Sequence, residues 1–257
     1  DELAYLYDNA DLVALLFEPD LADRVAAELG AASVAPVLSL PAFASVPGRD
    51  AKAGIVNAYG VDERFFALGP SGEGTAPGPG QALLSDRLAS QLGVSAGDTI
   101  LVRVEKPSYL PRDMVMSDID EVSFGVRVTV AGTVADGGFG RFGLSATQVP
   151  PFNVFLSLPW MQQELELPGR ANMILVGGAA AELVSRADDA LRSCWGIGDA
   201  GLSVRQVAAG KLAELRSDRV FIERAIVDAA RASDPGLIGV LTYFVNEIRS
   251  GERATPY

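Results

Sequence analysis

The chain has 257 residues and a formal net charge of −12, from 33 acidic and 21 basic side chains. This acidic balance argues against nucleic-acid binding, which needs clustered Lys and Arg, and no polybasic segment is present for adsorption on anionic lipid. The sequence contains no histidine, which excludes Ser-His-Asp and Cys-His nucleophile systems and histidine-ligated metals within this chain. The single cysteine, Cys194, can form no internal disulfide, and no apolar run approaches the roughly 18 residues that a membrane-spanning helix needs.

The first part of the chain, about residues 11–68, predicts a βαβ-like beginning. Residues 12–17 form an apolar run typical of a strand, and Pro19 and Asp20 then open a predicted helix that ends at Gly30. Residues 34–40 and 54–59 predict two further strands. The Pro/Gly-rich run at 69–80 cannot hold a helix or a central strand, so it predicts a loop between lobes.

Residues 82–104 predict a capped helix, a turn and a strand in one unit. Ser85 is placed to accept hydrogen bonds from the free N–H groups of a short helix, and Gly93 stands where a C-terminal glycine cap belongs. Gly97 and Asp98 then turn the chain into a strand. The apolar face of that strand is predicted to carry Ile100, Val102 and Val104.

The rest of the chain is first mostly strand and then α/β. Residues 124–134 alternate Val with Arg and Thr, as a half-buried antiparallel strand does. Residues 173–176 and 202–204 predict strands, residues 179–191 and 221–232 predict helices, and residues 236–248 predict an extended segment.

Five motifs occur in an order that is found in a known family. They are VNAYGVD at 56–62 with Phe65 and Phe66, the unit at 82–104, FGVRVTVAGTV at 124–134, a strand running into a short helix at 153–161, and NMILV at 172–176. Together they resemble the extracytoplasmic domains of MacB/FtsX-type ABC transporter permeases. The resemblance implies an α+β fold, with a porter-like lobe of split βαβ units formed by both chain ends and an inserted β-rich lobe.

The same resemblance implies boundaries and an origin for the chain. Residues 1–68 and 172–257 would be the two segments of the porter-like lobe, and residues 69–171 the inserted lobe with one helix at its start. The chain begins at Asp1 without a methionine and ends after the polar stretch SGERATPY. We interpret it as a fragment taken from between transmembrane helices, on the extracytoplasmic face of a bacterial cell membrane.

The function implied by the resemblance is non-catalytic. Such a domain would couple ATP-driven transmembrane movement to an external partner or cargo. Its partners would be the transmembrane helices of the same permease, a separate ATP-binding subunit or domain, and a periplasmic or extracellular protein, with no nucleic acid, metal or cofactor. Two alternatives stay open: a module that binds lipid, lipoprotein or a hydrophobic ligand between its lobes, and a soluble enzyme that uses carboxylates.

Two segments are candidate partner contacts. Apolar side chains on a Gly/Pro-rich loop are typical of an interaction surface, although they could instead fold back onto their own lobe. These residues are Phe139, Phe142, Pro150, Pro151 and Phe152. The second candidate is the predicted turn at 166–170, with Leu167, Pro168 and Arg170, near the point where lipoprotein-releasing relatives dock a periplasmic carrier. The alternative for this turn is an ordinary connection.

Other chemistry-bearing patterns favour structural explanations. GGFGRFG at 137–143 has phosphate-loop glycines but leads into two prolines rather than a helix, which favours a hairpin or irregular loop. The adjacent Asp188 and Asp189 point in different directions on a predicted helix, and Cys194 has no histidine or nearby lysine to activate it. An acidic cluster lacks the EF-hand order of calcium ligands and favours a solvated loop; it comprises Asp113, Asp118, Asp120 and Glu121.

Overall fold

The protein is described by a computed structural model. It covers residues 17, 20–30, 33–69, 74–105, 123–143, 149–178, 181–207, 211–217, 222, 224–240, 247–250 and 253–256. The predicted strand at 12–17, apart from Phe17, and the acidic cluster at 113–121 lie outside these residues. In the covered part, no helix is long and apolar enough to cross a membrane.

The described chain contains both helices and strands. The helices are α1 (Leu21–Leu29), α2 (Glu63–Ala67), α3 (Asp86–Leu92), α4 (Leu158–Glu164), α5 (Ala181–Cys194) and α6 (Arg224–Ser233). The first strands are β1 (Val34–Ser45), β2 (Lys52–Val61), β3 (Gln81–Ser85), β4 (Thr99–Glu105), β5 (Ser123–Val134) and β6 (Phe152–Ser157). The later strands are β7 (Met173–Val176), β8 (Leu202–Val207), β9 (Leu212–Ser217), β10 (Glu247–Ser250) and β11 (Arg253–Pro256).

Six strands close into a barrel. Their order around the ring is β1-β2-β6-β3-β5-β4, and β4 pairs with β1 to complete it. β2 and β6 are parallel, β3 and β5 are parallel, and the other neighbouring pairs are antiparallel. Closure leaves no open edge within this ring, so every strand finds a hydrogen-bonding partner on both sides over part of its length.

The barrel is filled by alternate residues of all six strands. On β4, Ile100, Val102 and Val104 are at most 2% exposed, as the alternating pattern predicted. The same cluster contains residues of β1, β2, β3, β5 and β6, and it is extended by residues of α3 and α4 such as Leu88 and Met161. An interior of this kind packs at close to crystal density and is therefore stiff.

The capped unit at 82–104 forms as its sequence predicted. The Ser85 hydroxyl oxygen accepts from the Leu88 N–H at 3.3 Å, which caps the start of α3. Gly93 ends the helix in the left-handed region with a φ of 61°. The Asp98 carboxylate then accepts from the Ser95 N–H at 2.9 Å and fixes the turn into β4.

β1 belongs to two strand pairings on the same side. Its first four residues pair with β7, and its last four, Ala42 to Ser45, pair with β4. The side chain of Asn172 fills the interval between them: its Oδ1 accepts from the Ser39 N–H at 2.7 Å, and its Nδ2 donates to the Ser39 carbonyl at 2.8 Å. β1 is therefore one continuous strand that joins the barrel to β7.

Helices α1 and α5 pack against the β1–β7 pair. Leu21, Val25 and Leu29 of α1 share a hydrophobic cluster with Val34 of β1 and Ala190 of α5. We call α1, α5, β7 and the paired start of β1 the α/β lobe. These three residues of α1 are four positions apart, so they lie on one face of the helix.

Arg24 ties α1 to the end of α5 and to the segment that follows it. Both carboxylate oxygens of Asp199, which is 1% exposed, accept from Arg24 Nη2, at 2.9 and 3.0 Å. Arg24 Nη1 also donates to the carbonyl of Cys194, the last residue of α5. The hydrogen bond to Asp199 raises the pKa of Arg24 above its ordinary value, more than burial lowers it.

The C-terminal elements agree in part with the sequence predictions. The helices predicted at 179–191 and 221–232 are α5 and α6, and the strand predicted at 202–204 is β8, which forms a hairpin with β9. Of the extended segment predicted at 236–248, residues 236–240 have no regular structure, residues 241–246 lie outside the described part, and β10 begins at Glu247.

The fold class predicted from the sequence, α+β, is confirmed by these elements around a central mixed sheet. The boundaries at 68/69 and 171/172 stay a prediction. The seven-stranded sheet contains strands from each of the three predicted segments: β1 and β2 from the first, β3 to β6 from the second, and β7 from the third.

Candidate functional site

Phe139 and Phe142 lie in an aromatic cluster on the outer side of the barrel. The Phe139 ring centroid is 4.2 Å from that of Phe65, and the Phe142 centroid is 5.3 Å from Phe65 and 5.2 Å from Tyr59. Both phenylalanines are half-buried. Both rings therefore pack against Phe65 of the first predicted segment, and their role as partner contacts stays a prediction.

A buried asparagine holds the turn that carries these rings. Asn153, at 0% exposure, donates from Nδ2 to the carbonyls of Phe142 at 2.7 Å and Gly140 at 3.3 Å. Its Oδ1 accepts from Asn57 Nδ2 at 3.1 Å, and its backbone N–H donates to the Ser85 hydroxyl oxygen at 3.2 Å. One side chain thus ties a short 3-10 turn, residues 139–141, to the barrel wall.

Tyr59 is almost fully enclosed in this aromatic cluster. Burial raises the pKa of its hydroxyl to about 12, while a hydrogen bond with Ser39 lowers it. The tyrosine is 3% exposed, so it has no room to present its hydroxyl to an external molecule. Its role is to pack the barrel against the α/β lobe.

Pro150, Pro151 and Phe152 lead into β6 and are half-buried. The Phe152 ring packs beside the barrel core, and the Arg87 guanidinium lies over it with 4.5 Å from Cζ to the ring centroid. The preceding residue, Val149, is 59% exposed. This segment therefore has one exposed apolar side chain next to three that are half-buried.

The second candidate segment is a tight turn after α4. The Leu167 N–H donates to the Gln162 carbonyl at 2.8 Å, and the Glu166 N–H to the Gln163 carbonyl at 3.1 Å. Glu166 has a φ of 59° and is the one described non-glycine residue with a positive φ. A Cβ in the left-handed region is strained, and such strain is often kept where a turn has a function.

This turn borders an open depression of about 480 Å³. Its lining residues are Pro159, Gln162, Gln163, Glu166, Pro168 and Gly169. Of the three predicted contact residues here, Pro168 lines the depression and is exposed, whereas Leu167 packs against the barrel core. The carbonyl of Arg170, the third, accepts from Gln162 Nε2 at 2.7 Å and closes the turn.

The other chemistry-bearing patterns take structural positions where the structure describes them. The GGFGRFG segment contains the 3-10 turn at 139–141, and the next described element is β6. Asp188 accepts from Arg192 Nε at 3.0 Å, and Asp189 is exposed. Cys194 is half-buried at the end of α5. Among the described residues, no three His, Cys, Asp or Glu side chains are grouped as metal ligands.

Sequence reasoning did not assign roles to Asn153 and Asn172. Both are amides at the start of apolar strands, and each bonds to backbone atoms of a distant segment. A polar amide beside a run of buried residues is the signal that could have identified them, because such a group must find partners. Their partners could not be named from spacing alone.

The chain has similarities to known proteins. The family model of the MacB-like periplasmic core domain matches residues 7–193. The chain is also similar to the periplasmic region of MacB from Actinobacillus actinomycetemcomitans, at 12% identity over 87% of this chain and 85% of that chain, with a TM-score of 0.43. None of the curated proteins that were compared matches the chain. Because the family model spans well over half of its length, the chain belongs to the MacB-like periplasmic core domain family, the extracytoplasmic domains of ABC transporter permeases.

Proposed function

We propose that this domain transmits ATP-driven movement of its permease to an external partner or cargo, without performing chemistry itself. The observation that carries this proposal is the continuity of β1, which pairs with β2 and β4 in the barrel and with β7 in the α/β lobe. A displacement of one body along such a strand is passed to the other through backbone hydrogen bonds. Side-chain rearrangement is not needed.

Packing on both faces of the β1–β7 pair supports transmission as a rigid body. One face, with Val34 and Val176, packs against α1 and α5. The other face, with Val37 and Leu175, packs in the aromatic cluster with Phe65 of α2. Because close-packed interiors resist compression, force on the α/β lobe should move the barrel with it.

The energy for this movement would come from a separate ATP-binding subunit or domain, since no G-x-x-x-x-G-K-[ST] sequence occurs in these 257 residues. ATP binding would favour one arrangement of the transmembrane helices over another, and the domain would follow. The transmembrane helices of the same permease are therefore its first partners.

The external contact would be made at the turn after α4. Pro168 and the strained Glu166 border the open depression there, and Leu167 anchors the turn on the barrel core. A turn that is held on a rigid barrel and open on its other side is a suitable place for a protein to dock. A displacement of the barrel would then reach the partner directly.

The test uses the intact permease with its ATP-binding subunit in lipid nanodiscs. A donor dye is attached at Ile55→Cys, which replaces a side chain that is 86% exposed on the barrel, in a Cys194→Ser background. Energy transfer to acceptor lipids is measured without nucleotide and with ATP and vanadate. We expect the transfer efficiency to change with ATP and to stay constant when the ATP-binding subunit is inactive. Equal efficiencies in both states, in a preparation that hydrolyses ATP before vanadate is added, would contradict the proposal.

A further inference from the structure

Two large apolar side chains point into solvent just after α6. Ile238 is 84% exposed and Val240 is 82% exposed. Their position is set by Asp234, whose Oδ1 accepts from the Gly236 N–H at 2.9 Å and whose carbonyl accepts from the Leu237 N–H at 3.1 Å. The backbone that leads into these side chains is thus fixed by an ordered turn.

The surrounding sequence is uncharged. Residues 236–245 read GLIGVLTYFV, a run of ten residues without Asp, Glu, Lys or Arg. A run of this length is too short to span a bilayer, and it is typical either of a core element or of a segment at a membrane interface. In the described part of the run, the exposure of Ile238 and Val240 argues against a core position.

The charge of the chain is distributed unevenly around this run. Residues 1–194 contain 13 basic and 25 acidic side chains, whereas residues 195–257 contain eight of each. The whole net charge of −12 therefore lies in the first 194 residues. An anionic lipid surface would repel that part and leave the C-terminal part unaffected, so the neutral end is the one that can approach a membrane.

We propose that residues 237–240 contact the surface of the lipid bilayer, with Ile238 and Val240 in its interfacial region. The occupant is lipid rather than protein, because the contact combines exposed aliphatic side chains, local neutrality and a domain family that is attached to a membrane protein. The contact goes beyond the coupling proposed above and depends only on the location of the domain beside a membrane. It would orient the acidic body away from the lipid headgroups.

The test measures co-sedimentation of the 257-residue chain with phosphatidylcholine vesicles. Ile238→Asp is expected to weaken vesicle binding about tenfold, because it removes an aliphatic group that would be buried in the lipid interface. The double variant with Val240→Asp removes a second such group and should weaken binding further. Ile55→Asp is the matched control, because Ile55 is as exposed as Ile238 but lies on the barrel. Circular dichroism should show unchanged melting for all variants, since the replaced side chains are exposed.

The lipid composition gives a second readout. Adding phosphatidylglycerol should weaken binding at low ionic strength, because the body of the domain is acidic, and about 0.15 M salt should restore it by screening. No vesicle binding by the unmodified chain, or an equal loss in Ile55→Asp and Ile238→Asp, would overturn the proposal. Self-association that depends on Ile238 in the absence of vesicles would overturn it in favour of a contact between two copies.

Discussion

Asn153 offers a sharp test of the polar network that holds the aromatic turn. In Asn153→Ala, three groups lose a hydrogen-bond partner: the carbonyls of Gly140 and Phe142 and the Asn57 side-chain amide. At about 1 kcal/mol net for each bond, the variant should lose about 3 kcal/mol of unfolding free energy. The site is fully buried, so water has poor access to replace these bonds.

Two further variants separate this effect from general loss of packing. Asn153→Asp keeps the shape of the side chain but sets an oxygen against two carbonyl oxygens, so it should cost at least as much as the alanine variant. Asn57→Ala removes only the 3.1 Å bond between Asn57 Nδ2 and Asn153 Oδ1 and should cost about 1 kcal/mol.

The assay is urea unfolding followed by far-UV circular dichroism, with linear extrapolation to water. The comparison requires that the free energy of unfolding falls with urea concentration at the same slope in all three variants. The reasoning is refuted if Asn153→Ala costs less than about 1 kcal/mol, or if Asn57→Ala costs as much as Asn153→Ala.

Three other changes have defined outcomes by the same assay. Gly140→Ala should lower the free energy of unfolding by about 1–3 kcal/mol, because its Cβ would meet two backbone carbonyls. Gly137→Ala should be nearly neutral, because its Cβ would meet nothing within 4 Å. Equal losses in the two variants would contradict this reasoning. Glu166→Gly should gain about 0.5–1 kcal/mol by relieving the φ of 59°, and Glu166→Ala should not, since it keeps the strained Cβ. Tyr59 keeps its proton up to about pH 12 in the folded chain but only to about pH 10 in the unfolded chain. The contribution of this raised pKa to the free energy of unfolding is therefore complete below about pH 10 and is lost between about pH 10 and 12. Over that window the unmodified chain should lose about 2–3 kcal/mol more than Tyr59→Phe, and parallel pH profiles would exclude the effect.

The elements that the sequence predicted well are those set by neighbouring residues. The Ser85 cap, the left-handed Gly93 and the alternation on β4 each depend on groups within a few positions along the chain. Helix capping and strand alternation depend on interactions between neighbouring residues, so they can be predicted from the sequence.

The arrangement of β1 could not be predicted in the same way. Its partners β4 and β7 begin about 65 and 139 residues later. Between the two strand pairings, β1 is contacted by the side-chain amide of Asn172 rather than by a strand. Apolar periodicity predicts that a strand is buried on one face or two, but it does not name the strands beside it.

The aromatic loop shows the same limit at the candidate site. The sequence leaves open whether Phe139 and Phe142 face solvent or fold back, because Phe65, which contacts both, lies more than 70 residues earlier. Pro168 at the edge of the depression is different, because a proline in a short polar turn is exposed for local reasons. The exposure of Pro168 could therefore be predicted from local sequence, whereas the packing partners of the two aromatic side chains could not.

The central claim is that the barrel and the α/β lobe move as one body when ATP drives the permease. Spin labels at Ile55→Cys on the barrel and Val184→Cys on α5, both exposed positions, report the distance between the two parts in a Cys194→Ser background. Measured by pulsed electron spin resonance on the intact permease, this distance should change by less than about 2 Å between the nucleotide-free and ATP-vanadate states. A larger change would contradict rigid transmission through β1.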